Sequence, residues 1–239
     1  MIYTLNDFIN EYNKIKAMGW IKTHRSGPTG IGKTLEDLLD IAENNLDEPD
    51  FGEYELKSCR IDSQSMLTMF TRAPQPARAN TYLREKYGYS SAAYDNDEKV
   101  LHSTLSADRF TPIANTGNKL KILCQDDGIY IQSQICIENV YWSRDVLKKC
   151  FEKKYKNKFV YAKAESRGSG VNEEFLFVDA YEVSGFNYDM FMNLLEAGRI
   201  YVDLRIGQYP DGRTHDHGTG FRIKESDQYL LFKNVNKIV

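Results

Sequence analysis

The stretch that most narrows how this chain can fold is Glu53-Tyr54-Glu55-Leu56-Lys57-Ser58, where polar and apolar residues alternate. A period of two marks a strand with one covered face. It sets Glu53, Glu55 and Lys57 on one side and Tyr54 and Leu56 on the other. Just upstream, Asp47-Glu48-Pro49-Asp50 reads as a turn, so Asp50 can fold back toward Glu55. Two carboxylates held together suit a hard cation such as Mg²⁺, which takes oxygen ligands and keeps several waters. Lys57, beside such a cation and a phosphate, can orient an attacking water or offset developing negative charge. This grouping reads as a metal-dependent site for cutting phosphodiesters. The motif is short, and an ordinary solvated ion pair on a strand face has the same spelling.

The 239 residues suit one substantial domain or two intimately packed lobes. Hydrophobic residues at 41% and charged residues at 27% fit a soluble globular protein. No apolar run approaches a membrane span, and the start, Met1-Ile2-Tyr3-Thr4-Leu5-Asn6-Asp7, is unlike a signal peptide. Cys59, Cys124, Cys136 and Cys150 are scattered without CxxC pairing, which suggests a reducing, cytoplasmic setting. A net charge of −3 argues against a generic polyanion binder, but local fields outweigh the total. Residues 144–167 carry nine Lys/Arg against three Asp/Glu, which is either a solvated helix face or a phosphate-facing patch.

The elements read as follows. Leu5, Phe8, Ile9, Tyr12 and Ile15 recur at helical spacing, with Gly19 as a terminating cap. A glycine-rich loop, Gly27 to Gly32, leads to a second helix through Leu35, Leu38 and Leu39. Ser65–Thr71 reads as a buried strand, and 72–118 as a looser stretch with a short helix near Asn80–Lys86. Lys121–Cys124 and Ile129–Ser133 flank Asp126-Asp127-Gly128, a hairpin signal. Ser143 can cap a helix through Val146, Leu147 and Phe151. Strands are expected over Phe159–Ala164, Glu174–Tyr181, Ile200–Ile206 and Gly220–Lys224, and a helix over Tyr188–Ala197 ended by Gly198. Helices and hairpins alternate irregularly, so the expected class is α+β with a mixed central sheet and flanking helices.

Gly27-Pro28-Thr29-Gly30-Ile31-Gly32-Lys33-Thr34 satisfies the nucleotide-binding pattern G-x-x-x-x-G-K-[ST] in full. A true phosphate loop follows a buried hydrophobic strand. Here the preceding residues are Lys22-Thr23-His24-Arg25-Ser26, polar and basic. The loop reads better as the opening of the helix that bears Glu36, with Lys33 and the loop N–H groups available to a DNA phosphate.

With Pro49–Lys57 in view, the chain carries the PD-(D/E)xK nuclease signature. It resembles the MvaI/BcnI family of type II restriction endonucleases over most of its length, and lies nearer the MvaI member. The resemblance rests on Gly27–Leu39, Pro49–Lys57, Ser65–Thr71, Asn80–Gly88, Ala164-Glu165-Ser166, Val202–Gly207 and Thr214–Ile223; residues 90–135 match poorly. It implies a restriction-endonuclease fold of the MutH-like branch, two-lobed, with the catalytic lobe mainly in 1–90 and the DNA-recognition lobe mainly in 120–239. It implies Asp50 and Glu55 as metal ligands, Lys57 as the catalytic lysine and Glu36 as an accessory acid. It also implies Mg²⁺ as cofactor, with Mn²⁺ able to substitute, and a monomer that cuts double-stranded DNA one strand at a time. A companion DNA methyltransferase is expected.

Sequence reading must come from elsewhere, and Tyr201–Arg222 has the chemistry for it. Arg205 and Arg222 can each contact guanine O6 and N7 in bidentate fashion. Asp203 can accept from cytosine N4 or brace an arginine. His215, Asp216 and His217 form a dense polar cluster in a glycine-containing loop; as zinc ligands the two histidines lack partners at suitable spacing. The resemblance implies a five-base-pair CCNGG-type site and favours CC(A/T)GG. The alternative function is a MutH-like nickase that needs an activating partner.

Overall fold

The first helix, Leu5–Ala17, begins at Thr4 with a reciprocal cap: Asp7 N–H donates to the Thr4 hydroxyl and Thr4 N–H to the Asp7 carboxylate. Its buried face is Phe8, Tyr12 and Ile15, as the spacing predicts, and Gly19 follows its end at φ +74°. The computed structural model describes residues 2–42, 49–61, 66–91, 98–155 and 157–239. Asp47 and Glu48 of the expected turn, and Ser65 of the expected strand, lie outside the described residues.

Two compact units make up the chain. One comprises 1–65, 155–187 and 225–239, the other 66–154 and 188–224. Neither is a continuous stretch of sequence.

The first unit is built on a mixed sheet. Strand Tyr54–Arg60 runs parallel to Lys158–Arg167, which pairs antiparallel with Glu174–Phe186. Ile21–Lys22 and Phe232–Lys237 add antiparallel partners to the latter. One face buries Leu56, Val160, Ala162 and Ala180 against Phe8, Tyr12 and Ile15 of the first helix and Ile31 and Leu35 of the second, Gly30–Leu38. On the other face, Phe159 and Tyr161 are the register partners of Glu55 and Lys57. They join an aromatic cluster with Tyr155 and Phe232. The charged face of the Tyr54–Arg60 strand is thus flanked by a dry, ring-lined wall.

The second unit holds two antiparallel sheets. The larger runs in the order Met66–Thr71, Gly220–Lys224, Ile200–Gln208, Lys99–Leu105, Tyr89–Ser90, with Thr214–Asp216 also paired to Ile200–Gln208. Leu101, Leu105, Val202, Leu204, Ile206 and Phe221 are buried on one of its faces, and rings of Trp142 and Phe191 pack on Phe221. The smaller sheet comprises Thr111–Pro112, Lys119–Gln125, Gly128–Ser133 and Ile137–Ser143. Its Asp126-Asp127 hairpin forms as expected, with Gln125 opposite Gly128.

Three expectations change. The α+β class holds, but among the described residues three sheets stand where one central sheet was expected. The stretch read as loose contains the strand Lys99–Leu105, paired along most of its length with Ile200–Gln208. Its His-Ser-Thr interior hid the alternation of Leu101 and Leu105. Met66–Thr71, read as buried, lies at a sheet edge with only Met69 buried.

Candidate functional site

A tight turn delivers the first carboxylate. Phe51 and Tyr54 exchange backbone hydrogen bonds of 3.2 and 2.8 Å across Gly52-Glu53. Gly52 sits at φ +51°, where a Cβ would come within 2.9 Å of the Tyr3 carbonyl, so glycine is required twice over. The turn folds Asp50 back until its Oδ2 accepts from Leu56 N–H at 2.6 Å. Glu55 and Lys57 are half-buried while Tyr54 and Leu56 are buried, as the alternation predicts. Lys57 Nζ donates to Glu55 Oε1 at 2.5 Å. Glu53, expected on the strand face beside Glu55, lies instead in the turn before the strand, is exposed and pairs with Lys158 at 2.6 Å.

Burial raises the Asp50 pKa, and the charge of Glu55 adds to that rise; the Leu56 N–H and Lys57 pull it down. A half-buried carboxylate raised partly by the charge of its neighbour fits a hard cation, which relieves that repulsion. Asp50 and Glu55 are the two carboxylates placed here that could hold such a cation; among the described residues no three His, Cys, Asp or Glu converge on one point.

The second helix brings Glu36 to this strand. A Cβ placed on Gly32 would lie 3.6 Å from Ser58 Oγ and 3.9 Å from Glu36 Oε1, so the Glu36 carboxylate lies near the strand position that follows Lys57. Lys33 is ion-paired with Asp37 at 2.7 Å, and Asp37 also accepts from the His24 ring at 2.9 Å. The Gly27–Gly32 loop is tied down from below. Arg60 donates to the Gly27 and Pro28 carbonyls, 3.2 Å each, and is itself held by Glu173 at 2.7 and 2.9 Å. The preceding strand is only Ile21–Lys22.

In the second unit, register places a polar set on the face opposite the buried one. Asp203 and Arg205 alternate along Ile200–Gln208; Thr104 and His102 are their partners across Lys99–Leu105. Gly220 is the partner of Asp203, and Arg222 lies two residues on. Asp203, buried, is the hub: Oδ2 accepts from Arg205 Nε at 2.8 Å and Arg222 Nη1 at 3.1 Å, and Oδ1 from the Thr104 hydroxyl at 2.8 Å. Arg205 points outward with half its side chain exposed, whereas Arg222 is largely covered. Asp216 accepts from Asn80 Nδ2 at 2.6 Å and from Gly218 N–H at 2.8 Å. His215 stacks on Tyr209 with ring centroids 4.4 Å apart and meets the His217 ring at 3.9 Å.

This chain matches the family model for the MvaI/BcnI restriction endonuclease family over residues 9–232. The chain belongs to that family. It is similar, at 34% identity and with all of both chains covered, to a solved structure described as a restriction endonuclease MvaI-cognate DNA substrate complex, with a TM-score of 0.68. A second, restriction endonuclease MvaI in the absence of DNA, gives 34% identity, coverage of 100% of this chain and 99% of that one, and a TM-score of 0.69. No curated protein matches. The endonuclease is therefore a type II site-specific deoxyribonuclease with a PD-(D/E)xK-like fold, and the activator-dependent nickase is set aside.

Asp50, Glu55 and Lys57 lie together on one strand and its entry turn, and Asp203, Arg205 and Arg222 on one sheet face. Asp216 spends both carboxylate oxygens inside the protein, as does Asp203. His102, Thr104, Asn80 and Arg60 went unnoticed in the sequence. Arg60 carries the one usable signal, lying three residues after Lys57 on the same strand. The basic run 144–167 divides between the two units. Arg144 pairs with Asp189, Lys158 with Glu53 and Arg167 with Glu174, while Lys163 lies over the Tyr229 ring. No helix among the described residues is long and apolar enough to cross a membrane.

Proposed function

We propose that the endonuclease hydrolyses one phosphodiester of duplex DNA at a time, with Asp50 and Glu55 holding Mg²⁺ (or Mn²⁺), Lys57 as the catalytic lysine and Glu36 as an accessory acid. The observation that carries this is the convergence of Asp50, Glu55 and Lys57 on one strand and its entry turn, with Asp50 fixed by Leu56 N–H and Lys57 2.5 Å from Glu55. A bound Mg²⁺ supplies Lewis acidity to the phosphate. Lys57 orients the attacking water and offsets charge on the phosphoryl oxygens. The water oxygen bonds to phosphorus as the bond to the 3′ oxygen breaks. The water proton ends on that 3′ oxygen, leaving 3′-hydroxyl and 5′-phosphate ends.

We further propose that the sequence read is CC(A/T)GG, with the first unit cutting and the second reading. Arg205 and Arg222 suit the guanines, and Asp203 acts by bracing both rather than by touching a base. His215 and His217 face the DNA from their hairpin, which Asp216 braces through Asn80 and Gly218. Lys33 reaches a phosphate by exchanging Asp37 for it. One Asp-Glu-x-Lys set in a monomer requires two successive nicks, and a methyltransferase of matching specificity is expected to protect the host.

Purified protein with Mg²⁺ is to be tested on supercoiled plasmid carrying CCAGG, CCTGG, CCCGG and CCGGG, with fragment ends sequenced. Cutting at the two A/T-centred sites alone, through a transient open circle, is expected. Cutting at all four overturns the specificity, and linear product without open circle overturns the sequential nicking.

A further inference from the structure

The motifs that resemble the family leave 90–135 unassigned, yet the strand Lys99–Leu105 in that stretch lies directly beside the Asp203–Arg205 segment. His102 is the register partner of Arg205, and both side chains are exposed. Partners across an antiparallel pair have Cβ atoms about 5 Å apart on the same face. An open groove of about 500 Å³ lies there, lined by His102, Thr104, Asp203, Arg205 and His217, with backbone of Ser103 and Leu204 between them. The His102 ring meets the His217 ring edge-on at 6.3 Å.

We propose that His102 is a further specificity-determining residue, contacting the base pair next to the one that Arg205 reads; this rests on the reading face proposed above. Stacked base pairs rise by about 3.4 Å, so a side chain one strand away from Arg205 is spaced for the adjacent pair. Its two ring nitrogens can meet the donors and acceptors of a base edge. Burial lowers the His102 pKa, and His217 and Arg205 lower it further against the opposing pull of Asp203. A neutral ring at neutral pH offers one donor and one acceptor. Thr104 gives its hydroxyl to Asp203 and so acts on the arginines.

The test uses whatever site the wild-type protein proves to cut, mapped by sequencing fragment ends, so a wrong CC(A/T)GG assignment shows itself before His102 is judged. Cleavage rates are compared on duplexes altered singly at each position of that site, for wild type, His102→Ala, His102→Gln and His102→Phe. Expected is a loss of discrimination of about tenfold or more at one base pair in His102→Ala, with Gln restoring part of it and Phe none. If Phe restores discrimination, His102 merely props the His217 ring and the proposal falls. It falls equally if the alanine variant discriminates at every position as the wild type does, or loses rate evenly on all duplexes.

Discussion

The two units build their polar groups on the same device, a strand whose faces differ, and assemble them in opposite ways. In the first, Tyr54–Arg60 gathers its chemistry within eight consecutive residues, and a turn that glycine makes possible folds Asp50 onto the strand. In the second, the polar face of Ile200–Gln208 depends on neighbours far away in sequence: Thr104 and His102 on one side, Gly220 and Arg222 on the other. Cutting needs a few groups held closely at one atom. Reading, the task proposed for the second unit, needs groups spread over a broad surface and so would draw on several strands.

The sharpest way to break this comparison is to remove Lys57. Lys57→Ala should lower the single-turnover cleavage rate by about a hundredfold to a thousandfold, the range for losing one group that stabilises transition-state charge. Binding to the cleavage site, measured by gel shift without divalent cation, should stay within a few-fold of wild type. Loss of binding as well would mean that the units do not divide the work as proposed.

The same contrast explains what the sequence told. Glu55, Lys57 and Asp50 were legible because strand alternation and one turn bring them together without any long-range contact. Lys99–Leu105 was not legible. Its partnership with Ile200–Gln208 spans about a hundred residues, and its exposed His102 and Thr104 blur the apolar period that would announce a strand. The role of Asp203 was half legible: its ion pair with Arg205 is local, but the second arginine and the Thr104 hydroxyl arrive from other strands.

A second test concerns the framework of the second unit. Glu138, buried, accepts from the Tyr82 hydroxyl at 2.5 Å, from the Tyr87 hydroxyl, from Lys86 Nζ at 2.8 Å and from Cys136 Sγ at 3.2 Å. Burial alone would raise its pKa, but these donors together lower it to about 2. A native pKa below the unfolded value means stability that is present above about pH 4.5 and lost as pH falls toward 2. Glu138→Ala should cost about 3 kcal/mol, because it leaves a cluster of donors without their acceptor. It should also flatten the acid limb of thermal stability between about pH 4.5 and pH 2, the window set by those two values. An acid limb unchanged from wild type would show that the network does not carry that stability.

The arginines give a smaller, more discriminating effect. Arg205→Ala and Arg222→Ala should each weaken cognate binding by about 1–3 kcal/mol while leaving unrelated DNA nearly unaffected. Arg222 is the better covered of the two and shares Asp203, so its loss should also lower thermal stability, whereas that of Arg205 should not. Equal losses on cognate and unrelated duplexes would reassign both to phosphates.

The smallest effect separates two glycines of the nucleotide-binding spelling. In a phosphate loop both would serve the ligand. Here they serve the helix Gly30–Leu38 and its junction. A Cβ on Gly30 would lie 2.3 Å from the Arg25 carbonyl oxygen and 2.8 Å from Thr23 Oγ1, so backbone must move, and Gly30→Ala should destabilise by about 1–3 kcal/mol. At Gly32 the nearest atoms are 3.6 and 3.9 Å away, ordinary contact distances. Gly32→Ala should therefore be neutral or stabilise by up to about 1 kcal/mol, the helical preference for alanine over glycine. Thermal melts of the two variants, with and without ATP, decide the matter. Equal damage at both positions, or a melting temperature that ATP raises in the wild type alone, would return the loop to nucleotide binding and leave Arg60 gripping its carbonyls for some other reason.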